Sequence, residues 1–146
     1  MKNYFRITLF FFLLVSLDQI SKIIFFENSV CNKNIAWGIP IAPAIFYSTW
    51  TAVIVALVYI FFKAKKQIEK IFLTLILAGA FSNVIDRARF GCVVDFIDLK
   101  FFPASIAMRS IAGWPVFNLA DVYISIGVLL VVVAQIKKYK IPDTKY

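Results

Sequence analysis

The sequence predicts an integral membrane protein, mainly α-helical, in which four transmembrane helices form a bundle with a small β-sheet on its outer side. Two observations support this fold class. Of the 146 residues, 62% are hydrophobic, whereas an ordinary soluble domain is about 45–50% apolar. The apolar residues are also concentrated in four long runs. The length suits a single membrane domain that covers residues 1–146.

The four apolar runs lie at about residues 7–26, 44–62, 71–86 and 117–136. A transmembrane helix needs roughly 17–25 residues, so the outer end of the short third run should reach a more polar zone. Each run should be helical, because a helix satisfies its own backbone hydrogen bonds in lipid. The first run begins like a cleavable signal peptide. No small-residue cleavage site follows it, so we expect it to remain as a transmembrane helix.

The basic residues indicate the orientation of these helices. A net charge of +8 could suggest nucleic acid binding, but the aromatic residues lie in the apolar runs rather than among the basic ones. Lys and Arg are concentrated at the N-terminus, after the second run and in the C-terminal tail. An even number of spans places these three segments on one side, which the positive-inside rule makes cytoplasmic. Segments 27–43 and 87–116 then face outward, and no nucleic acid partner is expected.

The outer segments are too apolar for plain solvated loops. Residues 92–97 are rich in β-branched side chains and predict a strand. Two prolines and a glycine argue against a continuous helix over residues 35–46. We therefore expect a small sheet on the outer membrane surface. Cys31 and Cys92 both lie on this side, where a disulfide is permitted, but their apolar surroundings favour free thiols.

The residue types restrict the chemistry. The chain has two cysteines and no histidine. Two thiols alone do not fill a structural zinc site, and Ser-His-Asp and Cys-His arrangements are excluded by the lack of histidine. Acid–base chemistry must therefore come from carboxyl groups, Lys or Tyr. We expect neither a metal nor a cofactor.

Several ionisable residues lie in or beside the apolar runs, where they are costly and indicate a functional site. Asp18 and Lys22 are four residues apart, so they share a helix face and should form an internal ion pair. Alternatively, Lys22 helps to shape a site. Asn83 and Asp86 share a face at the end of the third run, directly before Arg87. We expect hydrogen bonds to the sheet and an Asp86–Arg87 contact there, with a catalytic role for Asp86 as the alternative.

Asp95 and Asp121 are the candidate catalytic residues. Asp95 interrupts a strand-like apolar run, and Asp121 lies in the fourth run, about 6 Å below its outer end by helix rise and one turn below Asn118. Each acid alone could be a satisfied buried carboxyl group. Two carboxyl groups at close range instead tend to share one proton. One can then activate a water while the other donates to a scissile carbonyl, which predicts an aspartyl protease.

Two other function classes are weighed against this one. A small membrane transporter or channel subunit would need polar residues through both leaflets, whereas here they gather toward the outer half and the second run has no charge. A non-catalytic membrane scaffold would not need two acids in lipid.

The chain resembles the lipoprotein signal peptidases, also called signal peptidase II, nearly from end to end. Five segments carry the resemblance in the family's order: DQISK at 18–22, NKNIAWG at 32–38, GAFSNVIDR at 79–87, GCVVDFI at 91–97 and FNLAD at 117–121. No single segment is decisive, but together they are highly specific. Asn34 and Ser82 stand where the family usually has glycine, which bears on local loop shape. Residues 98–115 match no motif and could tune substrate access.

The resemblance implies that Asp95 and Asp121 form the catalytic dyad. It also implies a set of residues that bind substrate or support the site: Asp18, Lys22, Asn32, Asn83, Asp86, Arg87 and Asn118. The implied reaction removes the signal peptide from bacterial prolipoproteins before a cysteine that carries diacylglyceryl, and globomycin inhibits the family. The family fold adds an outer β-cradle and a short amphipathic outer helix.

The expected partners are therefore a prolipoprotein with diacylglyceryl-cysteine and membrane lipids, and the protein should be a monomer. It should span the bacterial cytoplasmic (inner) membrane several times. Both termini should be cytoplasmic, and the active site should lie near the outer leaflet.

Overall fold

A computed structural model describes residues 2–34, 42–99 and 115–140. The described chain contains four long helices, one short 3-10 helix at Phe26–Asn28 and two short strands. The long helices are α1 (Lys2–Ile24), α2 (Pro43–Lys63), α3 (Gln67–Phe90) and α4 (Leu119–Lys140), and the strands are β1 (Val30–Asn32) and β2 (Val93–Asp95). All four helices are long and apolar enough to cross a membrane. The fold class predicted from the sequence is confirmed.

The ends of two helices differ from the predicted runs in ways that shape the site. α3 continues beyond residue 86 to Phe90, and Gly91 ends it with a φ of 71°. Glycine adopts this left-handed conformation without a steric penalty. α4 begins only at Leu119, which leaves Asn118 outside the helix and Asp121 in its first turn. Asp121 therefore lies closer to the helix start than the sequence predicts.

α3 is the central helix, and it packs mainly against α4 and α1. Its close approach to α4 depends on Gly79. A Cβ atom at Gly79 would lie 2.8 Å from Cγ1 of Ile124 and even closer to the carbonyl oxygen of Ala120. By contrast, the most apolar window of α2 contains no buried residue. Most side chains of α2 are therefore available to lipid.

β1 and β2 form an antiparallel pair in which Val30 lies opposite Asp95 and Cys31 opposite Val94. Ile97, which follows β2, forms an isolated antiparallel bridge with Phe117, which precedes α4. This arrangement brings the end of β2 and the first turn of α4 together. Residues 35–41 and 100–114 lie outside the described residues, and no amphipathic outer helix of the kind implied by the family resemblance is among the described elements.

Cys31 and Cys92 form a disulfide with a Cα–Cα distance of 5.5 Å. The free thiols expected from the sequence are therefore wrong. The two cysteines are 61 residues apart in the chain, and only the pairing of β1 with β2 makes them neighbours. Their apolar surroundings carried no information about that pairing. The disulfide joins the strand that carries Asn32 to the residue before the strand that carries Asp95.

Replacing both cysteines with serine should destabilise the protein, because the cross-link restricts the unfolded chain. A disulfide usually contributes about 2–4 kcal/mol to the free energy of unfolding. Thermal unfolding in detergent should show a lower Tm for the Cys31→Ser, Cys92→Ser variant. A reductant should lower the Tm of the parent toward the same value and leave the variant unchanged. Uptake of a thiol-alkylating reagent by the unreduced, denatured parent would contradict the disulfide.

Candidate active site

A cluster of buried charges joins α1 and α3. The Nζ atom of Lys22 lies 2.7 Å from Oδ2 of Asp18 and 2.7 Å from Oδ2 of Asp86. All three side chains are at most 3% exposed. The predicted Asp18–Lys22 ion pair is confirmed. The ionic partner of Asp86 is Lys22, so the expected Asp86–Arg87 contact is wrong. Consecutive helical residues project in different directions, and Arg87 points toward the loop after β1.

The two carboxylates of this cluster also bind the elements around it. Asp18 accepts hydrogen bonds from the Ala120 backbone N–H at 2.8 Å and from the Ser82 hydroxyl at 2.7 Å. Ala120 lies in the first turn of α4, where backbone N–H groups have no partner within the helix. Asp86 accepts the Val94 N–H of β2 at 3.2 Å. The predicted hydrogen bond between the end of α3 and the sheet is thus confirmed.

Gln19 and Ser82 are also members of this network, a role that the sequence did not predict for either residue. The Gln19 side-chain amide donates to Asp86 at 2.8 Å and to the Ser82 hydroxyl oxygen at 3.0 Å. Ser82 stands where the family usually has glycine, and the sequence predicts no polar contact for it. Its hydroxyl donates to Asp18 and accepts from Gln19, so it closes the network with a polar contact that glycine lacks.

Lys22 also connects the charge cluster to Asp121. Its ammonium donates to Oδ1 of Asn83 at 3.0 Å, and the Asn83 Nδ2 group donates to Oδ1 of Asp121 at 2.9 Å. An ammonium group can only donate, so Lys22 fixes which end of the Asn83 amide faces Asp121. Asp121 consequently receives a neutral amide donor rather than a positive charge.

Asn118 caps α4 and contacts both candidate acids. Its backbone N–H donates to Oδ2 of Asp121 at 3.3 Å, while the Asp121 N–H donates to Oδ1 of Asn118 at 3.0 Å. This reciprocal pair is the arrangement of a capping box. The Nδ2 group of Asn118 also donates to Oδ1 of Asp95 at 2.6 Å. One asparagine therefore sets the positions of Asp95 and Asp121 together.

Asp95 ends β2 and is 3% exposed. Its second oxygen accepts the Asn32 side-chain amide of β1 at 3.0 Å. Burial raises the pKa of Asp95 to about 6, and the nearby charge of Asp121 acts in the same direction. The hydrogen bonds from Asn32 and Asn118 oppose this rise by stabilising the ionised form. Asp95 can therefore change protonation state near neutral pH.

Both acids open into one cavity of about 650 Å³. The predicted site residues fall into two groups around it. Five of them line the cavity: Asn32, Asn83, Arg87, Asp95 and Asp121. The other four, Asp18, Lys22, Asp86 and Asn118, are buried and contact the lining residues or the elements that carry them.

Arg87 fixes the rim of this cavity. Its guanidinium donates to the carbonyl oxygens of Asn34 at 2.7 Å and Lys33 at 3.4 Å. The same group lies 4.3 Å from the centroid of the Phe46 ring, within the range of a cation–π contact. Arg87 thus holds the loop after β1 and the first turns of α2 against the end of α3.

The burial of Asp95 predicts a pH-dependent effect of Asp95→Asn on stability. The carboxyl pKa rises from 3.8 to about 6 on folding, so between these values the folded chain binds more protons than the unfolded chain. The stability of the parent must therefore fall as the pH rises through this range. Asparagine does not ionise, so the Asp95→Asn variant does not lose stability in this way as the pH rises. We expect the Tm of Asp95→Asn, relative to the parent, to increase between about pH 4 and pH 7.

Thermal unfolding across that pH range measures this difference. Glu27→Gln is a matched control, since Glu27 is an exposed carboxyl group on the same side of the helix bundle. A Tm difference for Asp95→Asn that stays constant with pH would show that Asp95 carries no such linkage.

The sequence model of the family described as signal peptidase (SPase) II matches residues 10–137. The lipoprotein signal peptidase of Staphylococcus aureus (strain MRSA252) is 38% identical over 109 residues, which are 73% of this chain and 62% of that protein. The lipoprotein signal peptidase of Syntrophus aciditrophicus (strain SB) is 39% identical over 106 residues, which are 68% and 61% of the two chains. The match thus spans less than two thirds of the length of these relatives.

Two solved structures, both described as bacterial membrane enzymes studied by the in meso method, share the fold. The one at 2.3 Å resolution has a TM-score of 0.81 and 29% identity, covering 97% of this chain and 93% of that chain. The one at 1.9 Å resolution has a TM-score of 0.74 and 30% identity, covering 95% and 94%. With the family match and the four apolar helices, these similarities show that the chain belongs to the signal peptidase II family and is a multi-pass protein of the bacterial inner membrane.

Proposed function

We propose that this protein is an aspartyl endopeptidase that removes the signal peptide from diacylglyceryl-modified bacterial prolipoproteins, cleaving before the lipidated cysteine. The observation that carries the proposal is the position of Asp95 and Asp121. Both carboxyl groups line one cavity and both bind Asn118. Family membership favours this function over a transporter or channel subunit and over a scaffold.

The two carboxyl groups can perform hydrolysis with water alone. The ionised member of the dyad takes a proton from a water as that water attacks the scissile carbonyl carbon, and the protonated member donates to the carbonyl oxygen. In the resulting gem-diol intermediate, the C–N bond breaks as the nitrogen takes the proton of one carboxyl group, while a diol hydroxyl gives its proton to the other carboxylate and the carbonyl re-forms, so that the dyad again holds one proton. The products are a signal peptide with a new carboxyl group and a lipoprotein with a free amino terminus.

The hydrogen-bond donors to the dyad are neutral amides, which leave it able to give and take up a proton. Asp95 accepts hydrogen bonds from Asn32 and Asn118, and Asp121 accepts one from the Asn83 side chain. These donors orient the carboxyl oxygens without fixing both groups in the ionised form, as an ammonium in direct contact would. We assign Asn32 and Asn83 a positioning role within the cavity, and Arg87 a role in holding its rim.

We also propose that the site faces the outer leaflet and that both termini are cytoplasmic. The cavity lies where α1 and α3 end and α2 and α4 begin. The opposite ends of the helices carry a higher density of basic residues, including Lys63, Lys66, Lys70, Lys137 and Lys138, which supports this orientation by the positive-inside rule. We propose a single membrane domain that acts as a monomer among membrane lipids.

Asp95→Asn and Asp121→Asn should each lower kcat for cleavage of a diacylglyceryl-modified prolipoprotein by about 100- to 10,000-fold, the usual contribution of general acid–base catalysis. The purified parent should cleave this substrate, should leave the precursor without diacylglyceryl intact, and should be inhibited by globomycin. Glu27→Gln, at an exposed carboxyl outside the cavity, is the control. Parental rates for both dyad variants would show that the dyad assignment is wrong.

Cleavage should be insensitive to EDTA, because the proposed steps use only the two carboxyl groups and water. Among residues 2–34, 42–99 and 115–140, no group of three or more His, Cys, Asp or Glu side chains could hold a metal ion. The test compares rates before and after chelation. Loss of activity in EDTA that added zinc restores would refute the metal-free mechanism.

A further inference from the structure

β1 is a three-residue strand whose side chains bury little surface. Val30 and Cys31 are exposed, and Asn32 is half-buried. Among the described elements, β1 packs mainly against β2. A two-stranded sheet is at best marginally stable by itself, and strand register is strongly specified only where one face is buried. β1 therefore needs a further restraint to keep one register on β2.

The register of β1 decides whether Asn32 reaches Asp95. Asn32 lies opposite Val93 in the sheet, and its Nδ2 group donates diagonally to Oδ2 of Asp95 at 3.0 Å. All three residues line the cavity. Because side chains alternate between the two faces of a strand, a slip of one residue would turn Asn32 away from the cavity. The Asn32–Asp95 hydrogen bond therefore depends on this register.

Two anchors hold the chain on either side of Asn32. Cys31 directly precedes it and is bonded to Cys92. After it, the Arg87 guanidinium accepts no bond but donates to the carbonyl oxygens of the next two residues. A one-residue slip would turn the two cysteine side chains to opposite faces of the sheet, where a disulfide cannot form. The disulfide is thus the anchor that fixes the register. By strand alternation it lies on the face away from Asn32.

We infer that Cys31 and Cys92 are positioning residues of the proposed protease, because their disulfide holds Asn32 in contact with Asp95. The inference rests on the proposed function, in which Asp95 belongs to the catalytic dyad. The cysteines act through Asn32 and do not themselves contact the scissile bond. With the disulfide open, Asn32 would lie against Asp95 for only part of the time. The dyad would then lose one of the donors that orient it.

On the proposed orientation, this bond forms on the outer side of the membrane, because thiols stay reduced in the cytoplasm. Two thiols become a disulfide by giving up two protons and two electrons to an oxidant that itself carries a disulfide. One cysteine thiolate attacks the oxidant, and the other displaces it from the resulting mixed disulfide. The oxidant leaves as a dithiol with both protons and both electrons. Full activity therefore requires a disulfide oxidant outside the cytoplasm.

Release of Asn32 should also change the acidity of Asp95. Burial raises the pKa of Asp95 to about 6, and the Asn32 hydrogen bond opposes this rise. The charged groups that face this carboxyl from the helices are Asp121 on α4, Lys22 on α1 and Arg87 on α3, and reduction of the disulfide changes none of these charges. The pKa of Asp95 should therefore rise further when the bond opens. The alkaline limb of the pH profile of kcat/KM, which reports loss of the shared proton, should move to higher pH.

The experiment compares the protein with the disulfide closed and open. The parent is assayed on the diacylglyceryl-modified precursor before and after dithiothreitol, which gives two electrons and two protons to the disulfide and becomes a cyclic disulfide itself. The double variant Cys31→Ser, Cys92→Ser supplies the open state where the reductant does not reach the bond, and it has no thiols that titrate. Proteoliposomes keep the four helices inserted in both states.

Two further variants separate positioning from stability. Asn32→Ala removes the donor to Asp95 while the disulfide stays closed. Val30→Ala is the matched control, because it shortens an exposed side chain on the same strand. Each variant is assayed before and after reduction.

The reduced parent and the double cysteine variant should show kcat lowered by roughly tenfold, with the alkaline limb moved up by about one pH unit. Asn32→Ala with the bond closed should show the same two changes, and its reduction should add little, because the donor is already absent. Val30→Ala should match the parent before and after reduction. Reoxidation of the parent with glutathione disulfide should restore its rate and its pH profile.

A parental kcat and pH profile for the double cysteine variant would overturn the inference and leave the disulfide a contribution to stability alone. Reduction of Asn32→Ala that lowers kcat as much as in the parent would also overturn it, since the bond would then act on another part of the site. Failure of the proposed function is distinct, because the oxidised parent itself would not cleave the precursor.

Discussion

The contact of one ammonium group with two carboxylates organises the rest of the molecule. Lys22 lies between Asp18 and Asp86 at 2.7 Å from each, in a position that water barely reaches. Burying three charges is costly, and breaking such a cluster by removing one member leaves an uncompensated charge. The other carboxylate oxygens accept hydrogen bonds from the start of α4 and from Gln19, and the two oxygens that contact Lys22 also accept from Ser82 and from β2. Three helices and the sheet must therefore meet in one arrangement for these charges to be tolerated.

The separation of charge from the cavity follows from this arrangement. Lys22 is linked to Asp121 through the Asn83 amide. The positive charge is therefore buried away from the cavity, and the neutral Asn83 side chain lines it. Asn118 acts similarly, since it caps α4 and donates to Asp95 from the same side chain. The side chain that caps α4 thus also positions the two acids of the site. A residue that would be a simple cap elsewhere becomes the link between two acids.

The sequence predicted the features that depend on composition, spacing and motif. The cost of ionisable groups in apolar runs identified Asp18, Lys22 and Asp121, and a spacing of four residues predicted the Asp18–Lys22 pair. The features it missed depend on which elements become neighbours. The Cys31–Cys92 disulfide needs the register of β1 on β2, and the Lys22–Asp86 contact needs α1 beside the end of α3. The polar role of Ser82 also required a partner on another helix.

Trp50 is a further residue whose place in the fold the sequence did not predict. In the sequence it is one aromatic residue in an apolar run, where a core or lipid-facing position is the natural interpretation. Only the folded chain shows that Trp50 lines the cavity and that its Nε1 atom is buried without a hydrogen-bond partner. The helix that carries it packs less extensively against α3 than α1 and α4 do, so the fold itself does little to satisfy this donor. Trp50, Asp95 and Asp121 line the same cavity, so a residue with no distinguishing feature in the sequence is part of the candidate site in the folded chain.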